Sequence, residues 1–132
     1  MLEFSEEVMA PLSKAHIATA VRPLLADPSI GDVWVAEEQE LIGYLVITWG
    51  WGIESGGREA LIDEIFVAPA WRSKGIASAL IQASLERARE IQTKAVFLET
   101  EANNPESREL YKRIGFSEES SVWMRALLEG ND

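Results

Sequence analysis

Ile65-Phe66-Val67-Ala68-Pro69-Ala70-Trp71-Arg72-Ser73-Lys74-Gly75-Ile76-Ala77 decides how this chain is read. A short strand, apolar and part β-branched, passes through a proline-containing turn into Arg-x-x-Gly-x-Ala, where a helix is expected to start at once. Such a handover gathers several backbone N–H groups without intrahelical partners at the helix N-terminus. With the helix dipole they make a site for an anion, typically a phosphate. Gly75 has no Cβ and Ala77 only a methyl, so a pyrophosphate can approach the main chain. Arg72 and Lys74 add positive charge at the rim of an otherwise acidic protein. Residues Arg72, Ser73, Lys74, Gly75, Ile76 and Ala77 are thus the expected seat of a phosphorylated cofactor.

Composition bounds what surrounds that seat. The 132 residues suit one domain over 1–132, large enough for a hydrophobic core and too small for two. Hydrophobic residues at 47% against 26% charged argue for a globular chain rather than a disordered one. The absence of cysteine removes disulfides, thiolate metal sites and a cysteine nucleophile, and suits a cytoplasmic protein. One histidine, His16, gives no basis for a histidine metal site, so no metal is expected. The acidic start Met1-Leu2-Glu3-Phe4-Ser5-Glu6-Glu7 lacks the basic-then-apolar plan of a signal peptide. No apolar run approaches the ~20 residues that span a bilayer. A net charge of -10 opposes nucleic acid and anionic membranes and draws in a cationic substrate such as a polyamine, an aminoglycoside or a lysine side chain. Acidity that serves solubility alone is the plainer alternative.

Along the chain the order alternates between helix and strand. Residues from about Glu6 to Leu25 read as a helix with Pro23 as a break or kink, followed by a turn-rich linker from Asp27 to Asp32. Strands are expected over Val33–Ala36, Leu41–Trp49, Ala60–Val67, Ala95–Thr100 and Ser121–Leu127, with a hairpin loop over Gly50–Arg58. A helix from about Gly75 to Ile91 places Ala77, Leu80, Ile81, Leu85 and Ala88 at core-facing spacing. Asn104 and Pro105 read as N-cap and first position of a last helix, with Gly115 ending it.

In that last helix, Leu110 and Ile114 form a core stripe, while Ser107 and Tyr111, also four apart, form a neighbouring one. The Tyr111 hydroxyl can then enter a cleft and, with a pKa of ~10, protonate a departing thiolate whose conjugate acid lies near ~8.5. A tyrosine that merely packs fits the same spacing.

Taken together, the two segments resemble the GNAT superfamily of N-acetyltransferases. The resemblance runs from about Ile42 to Leu127 and rests on strand–Arg-x-x-Gly-x-Ala–helix, then Asn104-x-x-Ser107-x-x-Leu110-Tyr111-x-x-x-Gly115-Phe116. The family usually has a small residue where Ser107 stands. A nucleotide-triphosphatase loop would need Gly-Lys-[Ser/Thr], and a dinucleotide fold a glycine triplet; neither is present. The resemblance implies a mixed, mostly antiparallel sheet flanked by helices, with strands splayed at the cofactor site. It implies that the main chain of Phe66 and Val67 binds the pantetheine of acetyl-CoA like an added strand. The N–H groups from Arg72 to Ala77 then cradle the pyrophosphate, Asn104 hydrogen-bonds the pantetheine, and Tyr111 protonates the CoA thiolate. The acetyl group passes directly to an amine.

An alkyl amine with pKa ~10.4 is only ~0.04% neutral at pH 7, a handicap of ~4.6 kcal/mol, so a base is needed. Asp63 and Glu64 lie on the cofactor strand and, by strict alternation, point to opposite faces. The run Leu61-Ile62-Asp63-Glu64-Ile65-Phe66-Val67 looks most like polyamine (diamine) acetyltransferases, which implies a carboxylate at Asp63 or Glu64 as base or amine anchor; Glu64 is expected on the substrate with Asp63 assisting. Trp49 and Trp51 flank Gly50 near the hairpin, a region that borders the acceptor site in the family; an indole face attracts a cationic amine by ~0.5–2 kcal/mol. Cover of core or of a dimer contact is the equal alternative for both. Trp34 and Trp123, inside expected strands, read as core or interface, and Trp71 as packing beneath the turn. Members usually begin with a strand, for which only Met1 to Phe4 are available, so either it is short or missing or the coding start lies upstream of Met1. An open edge there points to a homodimer. The leading expectation is an acetyl-CoA-dependent N-acetyltransferase of a small, polyamine-like amine; the alternatives are an acetyl-CoA-binding module without catalysis and a protein or peptide N-acetyltransferase.

Overall fold

Apolar runs separated by glycines and charged turns become four strands: β1 (Gly31–Glu38), β2 (Glu40–Gly52), β3 (Gly57–Val67) and β4 (Ala95–Leu98). Helix α1 (Ile76–Glu90) follows β3, and α2 (Pro105–Ile114) follows β4. The computed structural model describes residues 22–100 and 103–129. The expected N-terminal strand, His16 and most of the expected first helix lie outside them; residues 22–26 are helical and include Pro23.

The sheet order is β1-β2-β3-β4, antiparallel across the first two junctions and parallel between β3 and β4. Two tight turns make the antiparallel part: Gln39 at φ 70° between β1 and β2, and Ile53–Gly56 with Gly56 at φ 87° between β2 and β3. The parallel junction needs a crossover, which α1 supplies.

Alternation along the strands builds two apolar faces. On the α1 face, Leu45, Ile47, Ala60 and Ile62 pack with Leu80 and Ile81, and Tyr111, Ile114 and Phe116 of the α2 region close over them. On the other face Tyr44, Val46, Phe66 and Ala68 pack with Leu24 from the helical stretch before β1. Ser84 is the one buried polar side chain among the described residues, and its Oγ donates to the Ile81 carbonyl at 2.8 Å. Capping of α2 follows the sequence: the Asn104 side-chain oxygen accepts from the Ser107 N–H at 3.2 Å, Pro105 takes the first position, and Gly115 at φ 131° ends the helix.

Two expectations need correction. The strand expected over Ser121–Leu127 does not form; residues 117–129 carry no strand, and Trp123 is exposed rather than core. Strand propensity is realised only against a pleated partner, and this segment pairs with none. Strict alternation across Asp63 and Glu64 also fails. The β2–β3 register runs Val46↔Glu64 but Ile47↔Ile62, so Asp63 is the extra residue of a β-bulge. Glu64, opposite Val46, takes the face away from α1. Asp63, one residue beyond the α1-facing Ile62, takes the same face.

Candidate active site

The site begins where β4 stops. Pairing between β3 and β4 ends at Ile62↔Leu98, yet β3 continues to Val67, leaving a notch along its outer edge. Ala68 N–H donates to the Ile42 carbonyl at 2.7 Å, so Ala68 and, two residues earlier, Phe66 turn their backbone groups towards β2. Those of Val67 therefore point into the notch. Its carbonyl accepts a hydrogen bond from Arg72 Nε at 2.9 Å, and the Arg72 guanidinium lies 5.8 Å from the centre of the Phe66 ring. The Val67 N–H is the donor left for an extended ligand.

A single 3₁₀ turn, Pro69–Trp71, carries the chain from β3 towards α1. Trp71 is half-buried against the second cluster, as expected for a residue packed under the turn. Ser73 and Gly75 then take left-handed conformations, φ 64° and 85°. The first helical N–H with a backbone acceptor is that of Ala79, which donates to the Gly75 carbonyl at 3.0 Å. The N–H groups of residues 73–78 find no backbone acceptor among the described residues, and Arg72, Ser73, Lys74 and Gly75 are exposed. A Cβ placed on Gly75 would meet nothing within 4 Å. The glycine is required by its φ, and the space above it is open for a ligand. These observations fit an extended pantetheine and a pyrophosphate: an open strand edge leads into a cluster of unpartnered N–H groups flanked by two cations.

Tyr111 is half-buried on α2, edge-on to Phe116 at 6.2 Å. Burial raises its phenol above the ordinary value, while a hydrogen bond with Ser107, one turn earlier, pulls the other way. The phenol packs against the α1-face cluster together with Ile65, Ile76 and Leu98, which border the notch. Glu64 stands on the opposite face, half-buried, with its carboxyl pushed up to about 7, first by burial and then by the charge of Asp63. Tyr111 and Glu64 thus lie on opposite faces of the sheet.

Other expected residues are placed differently. Asn104 commits its side-chain oxygen to the α2 cap, which leaves only its amide nitrogen for a ligand. Trp49 packs against the α1-face cluster, away from Glu64, and Trp51 on the same strand is 74% exposed. Sequence reasoning missed the bulge and the Arg72–Val67 bond; neither has a signal in residue type. It also missed Glu118, which pairs with Lys112 at 3.0 Å and Arg108 at 3.9 Å. No helix among the described residues is long and apolar enough to cross a membrane.

Comparison with known proteins agrees with this geometry. The chain is 37% identical over 87 residues to an N-acetyltransferase of Methanocaldococcus jannaschii, a match that covers 64% of this chain and 38% of that protein. The chain therefore spans less than half the length of that relative. Among solved structures, an integron cassette protein from the Cole Harbour Salt Marsh metagenome superposes with a TM-score of 0.86 at 27% identity, covering 98% of this chain and 84% of that one. An aminoglycoside N-acetyltransferase solved with CoA shares the fold at a TM-score of 0.83 and 17% identity, covering 95% and 85%. With residues 2–116 matching the acetyltransferase (GNAT) family, the chain belongs to that family.

Proposed function

We propose that this chain is an acetyl-CoA-dependent N-acetyltransferase that moves the acetyl group directly onto the primary amine of a small, cationic, polyamine-like acceptor. The observation that carries the reading is the continuity of the notch beside Val67 with the unpartnered N–H groups of residues 73–78. Acetyl-CoA supplies an acetyl group activated as a thioester. Arg72, Lys74 and the N–H groups of Ser73, Gly75, Ile76 and Ala77 hold its pyrophosphate, and Val67, beside Phe66, holds the pantetheine as an added strand. Asn104 and Ser107 border the same arm.

Glu64 removes the proton from the incoming ammonium, and Asp63 keeps the pair acidic enough to attract it. A carboxyl pushed up to about 7 is a stronger base than an ordinary one, which matters against an amine of pKa ~10.4. The nitrogen then attacks the thioester carbon, the C–S bond breaks, Tyr111 delivers its proton to the departing sulfur, and the second proton lost by the nitrogen restores the phenol. No acyl-enzyme is formed, which agrees with a chain free of cysteine. Trp49 belongs to the core, and Trp51 is left to border the acceptor. The protein works in the cytoplasm as a homodimer.

Incubation with acetyl-CoA and a panel of polyamines, aminoglycosides, amino acids and lysine peptides, followed by release of the CoA thiol, tests this reading. Release above background with polyamines supports it, and release with peptides alone names a protein acetyltransferase. Tight acetyl-CoA binding without release from any amine reduces the chain to a binding module.

A further inference from the structure

The sheet face that carries Glu64 continues down β3 towards the β2–β3 hairpin. Ala60 and Ile62 pack into the α1-face cluster, so Glu59 and Leu61 stand on the opposite face, with Asp63 and Glu64. Leu61 is flanked by its partners across the two junctions, Thr48 of β2 and Phe97 of β4. Phe97 shares its face, because Val96 and Leu98 on either side pack towards α1. Together with Gly50, Glu59 and Trp123 these residues line a pocket of about 150 Å³. That is room for an ammonium group and its first methylenes, given that a water takes ~30 Å³. Glu59 is the one charged residue lining the pocket, and no cation of the chain pairs with it among the described residues. Its carboxylate is seated: Ser55 Oγ donates to Glu59 Oε2, and a Cβ on Gly52 would come within 2.0 Å of that same oxygen. The glycine thus leaves the space that the carboxylate fills.

We propose that this pocket holds the second ammonium group of a long-chain diamine or polyamine whose other amine is acetylated at Glu64. The proposal rests on the acetyl-transfer reading above and gives its acceptor a length. A pocket with one negative charge and two aromatic walls, Phe97 and Trp123, complements a cation by charge and by ring quadrupole together. An anion would meet the Glu59 carboxylate, and a plain alkyl end would leave it unpaired. The spacing follows from the strand. At ~3.3 Å per residue Glu59 lies about 16 Å along β3 from Glu64, slightly less across the bulge. An extended alkylamine built of ~1.5 Å bonds advances ~1.3 Å per bond, so roughly ten to twelve bonds separate the two nitrogens. Leu61 and Thr48 lie between the two ends and give the methylenes a surface to run along. Glu64 thus selects an amine, and Glu59 selects how far away its second charge stands.

The test is steady-state release of the CoA thiol with three acceptors: a four-carbon α,ω-diamine, a ten-carbon α,ω-diamine and a ten-carbon monoamine. The ten-carbon diamine should have a kcat/KM about ten-fold above both others, carried by KM, the scale of one charge-assisted contact. Glu59→Gln, which keeps an acceptor for Ser55 and removes the charge, should erase that preference. Gly52→Ala should weaken it as well, because the new Cβ displaces the carboxylate without changing the charge of the chain. Equal kcat/KM for the two diamines, or a ten-carbon monoamine that matches its diamine, overturns the subsite and leaves acetyl transfer standing. A Glu59→Gln protein that keeps the preference overturns it too. The length series on the unmodified chain decides even where a variant does not fold. Folded protein that binds acetyl-CoA and releases no thiol with any amine overturns the acceptor reading itself, and the subsite falls with it.

Discussion

Arg72 Nε donates a 2.9 Å hydrogen bond to the carbonyl of Val67, so one guanidinium ties the turn before α1 to the end of β3. The same group lies over the Phe66 ring. A lysine offers one ammonium and no planar fork for the two contacts together.

Replacing Arg72 by Lys should therefore weaken acetyl-CoA binding roughly 10- to 100-fold, the equivalent of a charge-assisted bond of ~1.5–3 kcal/mol. The melting temperature should barely change, because Arg72 is exposed. Calorimetric titration with acetyl-CoA, beside a thermal melt, checks both.

Gly75→Ala places a Cβ in open space but on a residue at φ 85°. The strain is ~1–2 kcal/mol, which lowers the melting temperature by roughly 3–8 °C in a domain of this size. Acetyl-CoA affinity should fall further than this strain accounts for, since the turn that aims the N–H groups relaxes. Equal losses in stability and affinity would assign Gly75 to the fold alone.

Tyr111→Phe keeps the packing on Phe116 and removes the hydroxyl proposed as proton donor. The expected result is a 10²–10⁴-fold loss in kcat, the usual range for general acid catalysis. The KM for acetyl-CoA should stay close to that of the unmodified protein. Steady-state kinetics separates the two parameters.

As the proposed base, Glu64 should set the acid limb of the pH profile. With its carboxyl pushed up to about 7, kcat/KM should rise with pH through that value, and Glu64→Gln should abolish the limb. Asp63→Asn removes the second cause of the shift and should move the limb to lower pH. Stability moves the opposite way. The folded state holds the Glu64 proton more tightly than the unfolded chain, so its contribution is present at low pH and declines between about 4.5 and about 7.

Asn104→Asp and Asn104→Ala separate two roles of one residue. Aspartate keeps the cap oxygen that accepts from the Ser107 N–H, whereas alanine loses it at a cost of ~1 kcal/mol. If the amide nitrogen also binds pantetheine, both variants bind acetyl-CoA more weakly, and only Asn104→Ala melts lower.

The chain announced its local structure well. Asn104, Pro105 and Gly115 mark the ends of α2 because capping chemistry is local and each residue type has a specific job there. Arg72 to Ala77 could be read because a strand, a turn and a helix start follow one another without a gap. What could not be read depends on partners distant in sequence. The bulge at Asp63 arises from the register against Val46 and Ile47, some sixteen residues earlier, and it moves a carboxylate to the other face. The strand expected at Ser121–Leu127 has the right residues, but no strand to pair with among the described residues. Trp49 shows the same limit. It is expected to border the acceptor site, while its pairing with Ala60 turns it towards the α1-face core.

The central claim is that acetyl-CoA lies in the notch beside Val67 with its pyrophosphate on the N–H groups of residues 73–78. Amide NMR of the isotopically labelled protein, with and without acetyl-CoA, tests it residue by residue. The Val67 amide and those of Ser73 to Ser78 are expected to shift and to exchange more slowly with solvent on binding. Acetyl-CoA that binds while these amides keep their positions and exchange rates would contradict it.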